Sequence, residues 1–193
     1  MRLCAGQIGQ LLNKNSFANA LGVSVNTIES WLTLLEASYI IFRLQPFHSN
    51  FKKRLVKTPK LYFTDVGLAS YLLGIENTKQ LVRDPARGHL FENLVILEAV
   101  KNRLNKNLDP HCYFYRDSTG NEVDLILQRG QTLYPIEIKS SQTFHTSMLR
   151  GLKHFTKQCS SRVDKQFLIY NGEHQQTIDD ISLLNYQNFP EEI

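Results

Sequence analysis

The chain has 193 residues, 42% of them hydrophobic, and 22 Lys and Arg against 18 Asp and Glu give it a net charge of +4. That length and apolar content suffice for one large core or two small ones. No run approaches a membrane span and Met1-Arg2-Leu3-Cys4 lacks the apolar stretch of a signal peptide, so a protein with no membrane partner and a cytoplasmic location is expected. Cys4, Cys112 and Cys159 are odd in number, far apart and without His or Cys at ligand spacing, which speaks for reduced, packed thiols and against zinc.

In chain order, the first half is expected to fold as a winged helix-turn-helix domain over residues 1–80. Leu3, Ile8, Leu11 and Leu12 belong to a first helix with apolar surface to spare, which would favour docking or self-association. Asn13 to Ser16 opens a helix over Phe17 to Leu21, and Gly22 supplies the turn glycine. Ser24 caps the next helix, with Val23 and Ile28 at staple positions and Trp31, Leu32, Leu34 and Leu35 as its buried stripe. Tyr39 to Leu44 and Lys60 to Phe63 are the expected wing strands, followed by a helix from Asp65-Val66-Gly67-Leu68 to Leu73-Gly74. The exposed positions of the second helix, Val25, Asn26, Glu29, Ser30 and Thr33, include no Arg or Lys, so DNA reading by that helix is disfavoured.

Charge is unevenly shared. Up to Asp84 there are ten Lys and Arg against five Asp and Glu, and from Pro85 onward twelve against thirteen. Lys52, Lys53, Arg54, Lys57 and Lys60 concentrate the excess in one loop-like stretch, a candidate nucleic-acid contact; a solvated loop or a contact with an acidic protein surface fits the charge equally well. Asn, Lys, Asp and Pro85 between Asn77 and Arg87 mark a boundary, with a second domain over 85–193.

In that second domain a helix is expected from Gly88 to Leu104, with Glu92 in its first turn, serving either the helix dipole or a site. His111 to Arg116 is the first expected strand and Gln166 to Tyr170 the last, with a helix over Ser147 to Cys159 and a packed strand or turn between Leu183 and Phe189. Glu122-Val123-Asp124 and Glu137-Ile138-Lys139 alternate charged and branched apolar residues, joined by a hairpin turn at Arg129-Gly130. A two-residue or a four-residue loop keeps Asp124, Glu137 and Lys139 on one face, whereas a three-residue loop separates the carboxylates. A solvated sheet face is the ordinary setting for such residues, but flanking helices would place part of this face in a cleft. Two carboxylates held there repel each other unless a hard cation such as Mg²⁺ joins them. His145 reads as a surface residue.

Glu92 on a helix, then Asp124, then Glu137-Ile138-Lys139, resemble the core of the PD-(D/E)XK nuclease superfamily, which implies an α+β or α/β restriction-endonuclease-like fold of order αβββαβ. More closely, the whole chain resembles the C-terminal region that follows the ATPase module in many bacterial and archaeal AAA-type ATPases. The matching strings are Gln10-Leu11-Leu12-Asn13, Leu21-Gly22-Val23-Ser24 with Thr27-Ile28, Pro59-Lys60-Leu61-Tyr62-Phe63 with Asp65 and Gly67-Leu68, Gly88-His89-Leu90-Phe91-Glu92-Asn93, and Glu122-Val123-Asp124-Leu125-Ile126. The nuclease resemblance implies phosphodiester hydrolysis, with Mg²⁺ held by Asp124, Glu137 and the Ile138 carbonyl, Lys139 stabilising charge or orienting water, and Glu92 as an accessory ligand or anchor. The ATPase resemblance implies an ATPase module in cis or in trans as partner. No Gly-x-x-x-x-Gly-Lys-Ser/Thr occurs, so this chain itself is expected neither to bind nor to hydrolyse ATP. A non-catalytic nucleic-acid or protein docking module is the alternative from a different class, and a winged-helix regulator is a third.

Overall fold

A computed structural model describes residues 1–47 and 56–189, and among them seven α-helices and eight strands make a mixed α+β protein. The chain divides into two units, Met1–Leu44 with Thr58–Asn93 and Gln45–Lys57 with Leu94–Ile193. The expected boundary stretch holds a helix, α5 (Thr78–Arg83), capped by the Asn77 side chain. Polar composition had concealed it, because its helical signal lies in the cap rather than in an apolar stripe. None of the helices among the described residues is long and apolar enough to cross a membrane.

In the first unit α1 (Arg2–Ala5) is short, and Ile8 and Leu12 beyond it are buried, so much of the expected spare apolar surface is already covered. Helix α2 (Lys14–Leu21) starts where Asn13 Oδ1 accepts the Ser16 amide at 3.0 Å and ends at Gly22, whose φ of 66° is a left-handed conformation that costs glycine little. Ser24 then caps α3 (Val25–Ala37) by accepting the Thr27 amide. Ile28 and Leu32, four apart, form the buried line of α3, with Leu35 partly buried beside them. Trp31 and Leu34 point elsewhere and are 48% and 64% exposed, contrary to the expected stripe. Strands β1 (Ile41–Pro46) and β2 (Lys60–Phe63) pair antiparallel in the register Ile41 to Phe63. Asp65 caps α4 (Val66–Leu72) through the Leu68 amide. Helix α6 (Arg87–Asn105) starts in this unit and continues into the second.

The second unit is a mixed sheet. Strands β3 (Cys112–Arg116), β4 (Glu122–Arg129) and β5 (Thr132–Lys139) run antiparallel in sequence, and the last two residues of β1 pair parallel with β3. A 3-10 turn at Thr146–Leu149 leads into α7 (Arg150–Cys159), which crosses over to β6 (Gln166–Tyr170), parallel to β5 as such a crossover requires. Two further strands follow, β7 (Gln176–Ile178) and β8 (Ile181–Asn185), with β8 parallel to β6. The strand expected to be last is therefore third from the end. Leu149, Leu152 and Phe155 from the turn and α7 pack with Val123, Ile126, Leu133 and Leu168 in a buried cluster. This fixes α7 across β4 and β5, and fully burying each of its apolar side chains contributes about 1.5–3 kcal/mol.

Candidate functional site

Strand β4 carries Asp124 into the site through an irregularity. Tyr113 pairs with Ile126 and Tyr115 with Val123, so Asp124 and Leu125 together stand opposite the single residue Phe114. This is a β-bulge, which turns the strand locally and re-aims the side chain it carries. On the other edge β4 pairs with β5 from Arg129–Thr132 to Leu125–Ile136, the register of the four-residue alternative, with Gly130 (φ 60°) and Gln131 at the tip. One step beyond the last pair lie Asp124 and Glu137. There the ladder stops, and Asp124 Oδ2 accepts the Ile138 amide at 2.8 Å.

Lys139 joins the two carboxylates. Its ammonium lies 3.3 Å from Asp124 Oδ2 and 2.5 Å from Glu137 Oε1. Asp124 and Glu137 are each only 8% exposed. The other oxygen, Glu137 Oε2, is buried and has no hydrogen-bond partner among the described residues. Burial and then the Asp124 charge push the Glu137 carboxyl up to about 8, against the pull of Lys139. Burial works to lower the Lys139 ammonium, but the Asp124 and Glu137 charges outweigh it and raise the group above its usual range.

These residues fit a hard divalent cation. An orphaned carboxylate oxygen beside a second carboxylate is a donor arrangement that a cation would complete, and Mg²⁺ takes one or two carboxylates while keeping waters. Among the described residues no three His, Cys, Asp or Glu side chains gather as a metal cluster, so a cation here would draw on this carboxylate pair together with the expected Ile138 carbonyl.

Helix α7 presses on the pair from one side. A Cβ on Gly151 would lie 2.1 Å from the Glu122 carbonyl oxygen and 3.2 Å from Glu137 Oε2, so only glycine lets the helix approach this closely. Gly151→Ala is expected to destabilise the chain by about 1–3 kcal/mol, read from urea unfolding. Unchanged stability would mean that α7 does not seat on β4.

The remaining expected residues are Glu92, the basic stretch and His145. Glu92 is the sixth residue of α6 rather than a first-turn residue, because the helix begins at Arg87. Its carboxylate, in the first unit, takes Lys60 Nζ at 2.9 Å and the Tyr62 hydroxyl, with His89 Nδ1 at 3.6 Å. Burial by itself raises this carboxyl, yet the Lys60 charge and the hydrogen bonds from His89, Tyr62 and Lys60 outweigh it and bring the group to about 2. Lys60 is accordingly 3% exposed and committed, which removes it from the expected basic patch. Lys57 is exposed, and Lys52, Lys53 and Arg54 lie outside the described residues. His145 is exposed, as expected.

Sequence reasoning passed over the outer face of α7. Arg150, Lys153, His154 and Lys157 recur there at i, i+3, i+4 and i+7, a spacing that lines one side of a helix. With Asn121 and Thr146 they line a cavity of about 520 Å³. The signal was legible as a basic stripe opposite Leu152, Phe155 and Cys159, but the charge of the whole half averaged it away.

Comparison with known proteins follows the same two-part layout. Residues 1–79 match a domain of unknown function, DUF8612, and residues 87–189 match a domain of unknown function, DUF4143. Uncharacterized proteins of Mycobacterium bovis and Mycobacterium tuberculosis are each 30% identical over 177 residues, which cover 89% of this chain and 37% of theirs. The chain thus spans little more than a third of the length of these relatives. With more than half of its residues inside the second match, the chain belongs to the DUF4143 family.

Proposed function

We propose that the second unit is a Mg²⁺-dependent, nuclease-like domain of the PD-(D/E)XK type that hydrolyses phosphodiesters, and that the first unit is a winged-helix module. The observation that carries this reading is the meeting of Asp124, Glu137 and Lys139, with Glu137 Oε2 buried and unpartnered. The succession α6, β3, β4, β5, α7, β6 agrees with the αβββαβ order.

Asp124 and Glu137 would hold the cation, which when bound would supply water activation and charge neutralisation at the phosphate. Asp124 is held for that purpose by the Ile138 amide, and Glu137 offers the oxygen that lacks another partner. Lys139, kept protonated by its two carboxylates, stabilises the negative charge that develops on the phosphoryl oxygens. Helix α7 keeps bulk water off Glu137. In this reading Glu92 is an anchor rather than a ligand, its carboxylate binding Lys60 and Tyr62.

For the first unit a docking role fits better than base reading. Arg43 of β1 is spent on Glu29 at 2.6 Å and Glu36 at 2.5 Å rather than turned to a phosphate. The partner that suits the family resemblance is an ATPase module, in cis or in trans. The nuclease reading is tested by incubating the chain with Mg²⁺ and plasmid, branched or single-stranded DNA. Cleavage that is lost in Asp124→Asn supports it, and no cleavage of any substrate, or cleavage that survives that substitution, contradicts it.

A further inference from the structure

We propose that the basic outer face of α7 is the seat of a nucleic-acid sugar-phosphate backbone, bound without regard to sequence and delivered along the helix to the carboxylate pair. Arg150, Lys153, His154 and Lys157 face the cavity of about 520 Å³ together with Asn121 and Thr146. The ten residues of α7 include no acidic side chain. From Arg150 to Lys157 the helix rises about 10 Å, which matches the axial length of about three nucleotides of one strand. Thr146 adds an uncharged hydroxyl suited to phosphate oxygens.

The Arg and Lys cations here are available for exchange. Arg150 and Lys157 have no acidic partner among the described residues, and both are exposed. Lys153 pairs with Asp179 at 2.6 Å, but both side chains are largely solvated, and such pairs yield readily to a stronger anion. His154 Nε2 lies 3.2 Å from Asp117 Oδ2. Asp117 is itself saturated by Thr119 and Asn121, whose amides and side chains hold it well below the usual carboxylate range despite its burial. That network fixes the turn from which Asn121 enters the cavity.

A nucleic-acid backbone suits this face better than an acidic protein because of where the stripe leads. Gly151, next to Arg150, lies against Glu137, and Asn121 adjoins the strand that carries Asp124. A strand lying on α7 therefore reaches the site where phosphodiester chemistry is proposed, and only this last step rests on the nuclease reading.

The test is fluorescence anisotropy of the full chain with labelled single-stranded and duplex DNA of two unrelated sequences, in EDTA so that no cleavage intervenes. Arg150→Gln, Lys153→Gln and Lys157→Gln combined should weaken binding at least about tenfold at low salt and make the slope of log affinity against log salt shallower by about 2–3. The loss should be equal for both sequences. Lys153→Arg with Lys157→Arg should bind as the parent chain does, and Asp124→Asn should retain binding. Parent-like affinity in a folded triple variant overturns the proposal, as does a salt slope that vanishes only with Lys52→Gln, Lys53→Gln and Arg54→Gln. Competition by polyglutamate as effective as by DNA would assign the face to an acidic protein instead. Stripe-dependent binding without cleavage in Mg²⁺ would uphold this proposal while removing the nuclease reading.

Discussion

Lys60→Met is expected to destabilise the chain by about 3–5 kcal/mol, the usual result of removing one partner of a buried ion pair. Methionine retains most of the hydrocarbon stem of Lys60, so the loss would report on Glu92, left with a buried charge and only the Tyr62 and His89 contacts. Replacing both, as Lys60→Met with Glu92→Met, should recover most of the stability, because the desolvation of both charges is relieved together. The pH dependence follows from the lowered carboxyl of Glu92. In the unfolded chain it titrates near its ordinary value of 4.5, and in the folded chain at about 2. A depressed acid contributes stability that is fully present above the unfolded value and lost as pH falls through the folded one. The difference between parent and Lys60→Met should thus be largest above about pH 5 and shrink between pH 4.5 and 2. Urea unfolding across that range reads it, and a difference that is flat with pH would mean that the pair is not ionised in the folded chain.

The second large effect concerns rate. Lys139→Met should slow DNA cleavage by about 10²–10³-fold, the range found when a donor to developing negative charge is deleted. Glu137→Gln should remove cleavage as thoroughly as Asp124→Asn, yet leave the metal-free chain about as stable as the parent, since a buried carboxyl pushed up to about 8 is already largely uncharged at neutral pH and glutamine keeps its shape. This is the opposite of the Lys60 result, and the contrast separates a carboxylate kept for chemistry from one kept for structure. A Glu137→Gln chain that unfolds more easily than the parent would class Glu137 with Glu92.

Local chemistry made much of this fold legible. Asn13, Ser24 and Asp65 each accept the amide that a helix start leaves open, and Gly22 sits in the left-handed turn expected of it. The charged positions of β4 and β5 also met as their alternation suggested. What stayed hidden depended on distant residues. Lys60 looked like part of a basic loop because its partner, Glu92, is 32 positions away. The strings Pro59 to Phe63 and Gly88 to Asn93, separate in sequence, meet in the fold. Asn93 accepts from the Phe63 amide and donates to the Phe63 carbonyl, completing the hydrogen bonds of β2 beside the Lys60–Glu92 pair. The bulge at Asp124 was equally illegible, since it arises from register against β3 and not from β4 itself. Strands β7 and β8 are short, and β7 has no buried side to give an alternating pattern.

Calorimetric titration of the full chain with Mn²⁺, a stand-in for Mg²⁺ with the same preference for oxygen donors, bears most directly on the Asp124–Glu137 pair. Saturable binding is expected, weakened at least about tenfold by Asp124→Asn and retained in Lys139→Met, which removes a competing cation without removing a ligand. Absence of saturable binding, or binding that Asp124→Asn leaves unchanged, would contradict a metal site at this pair.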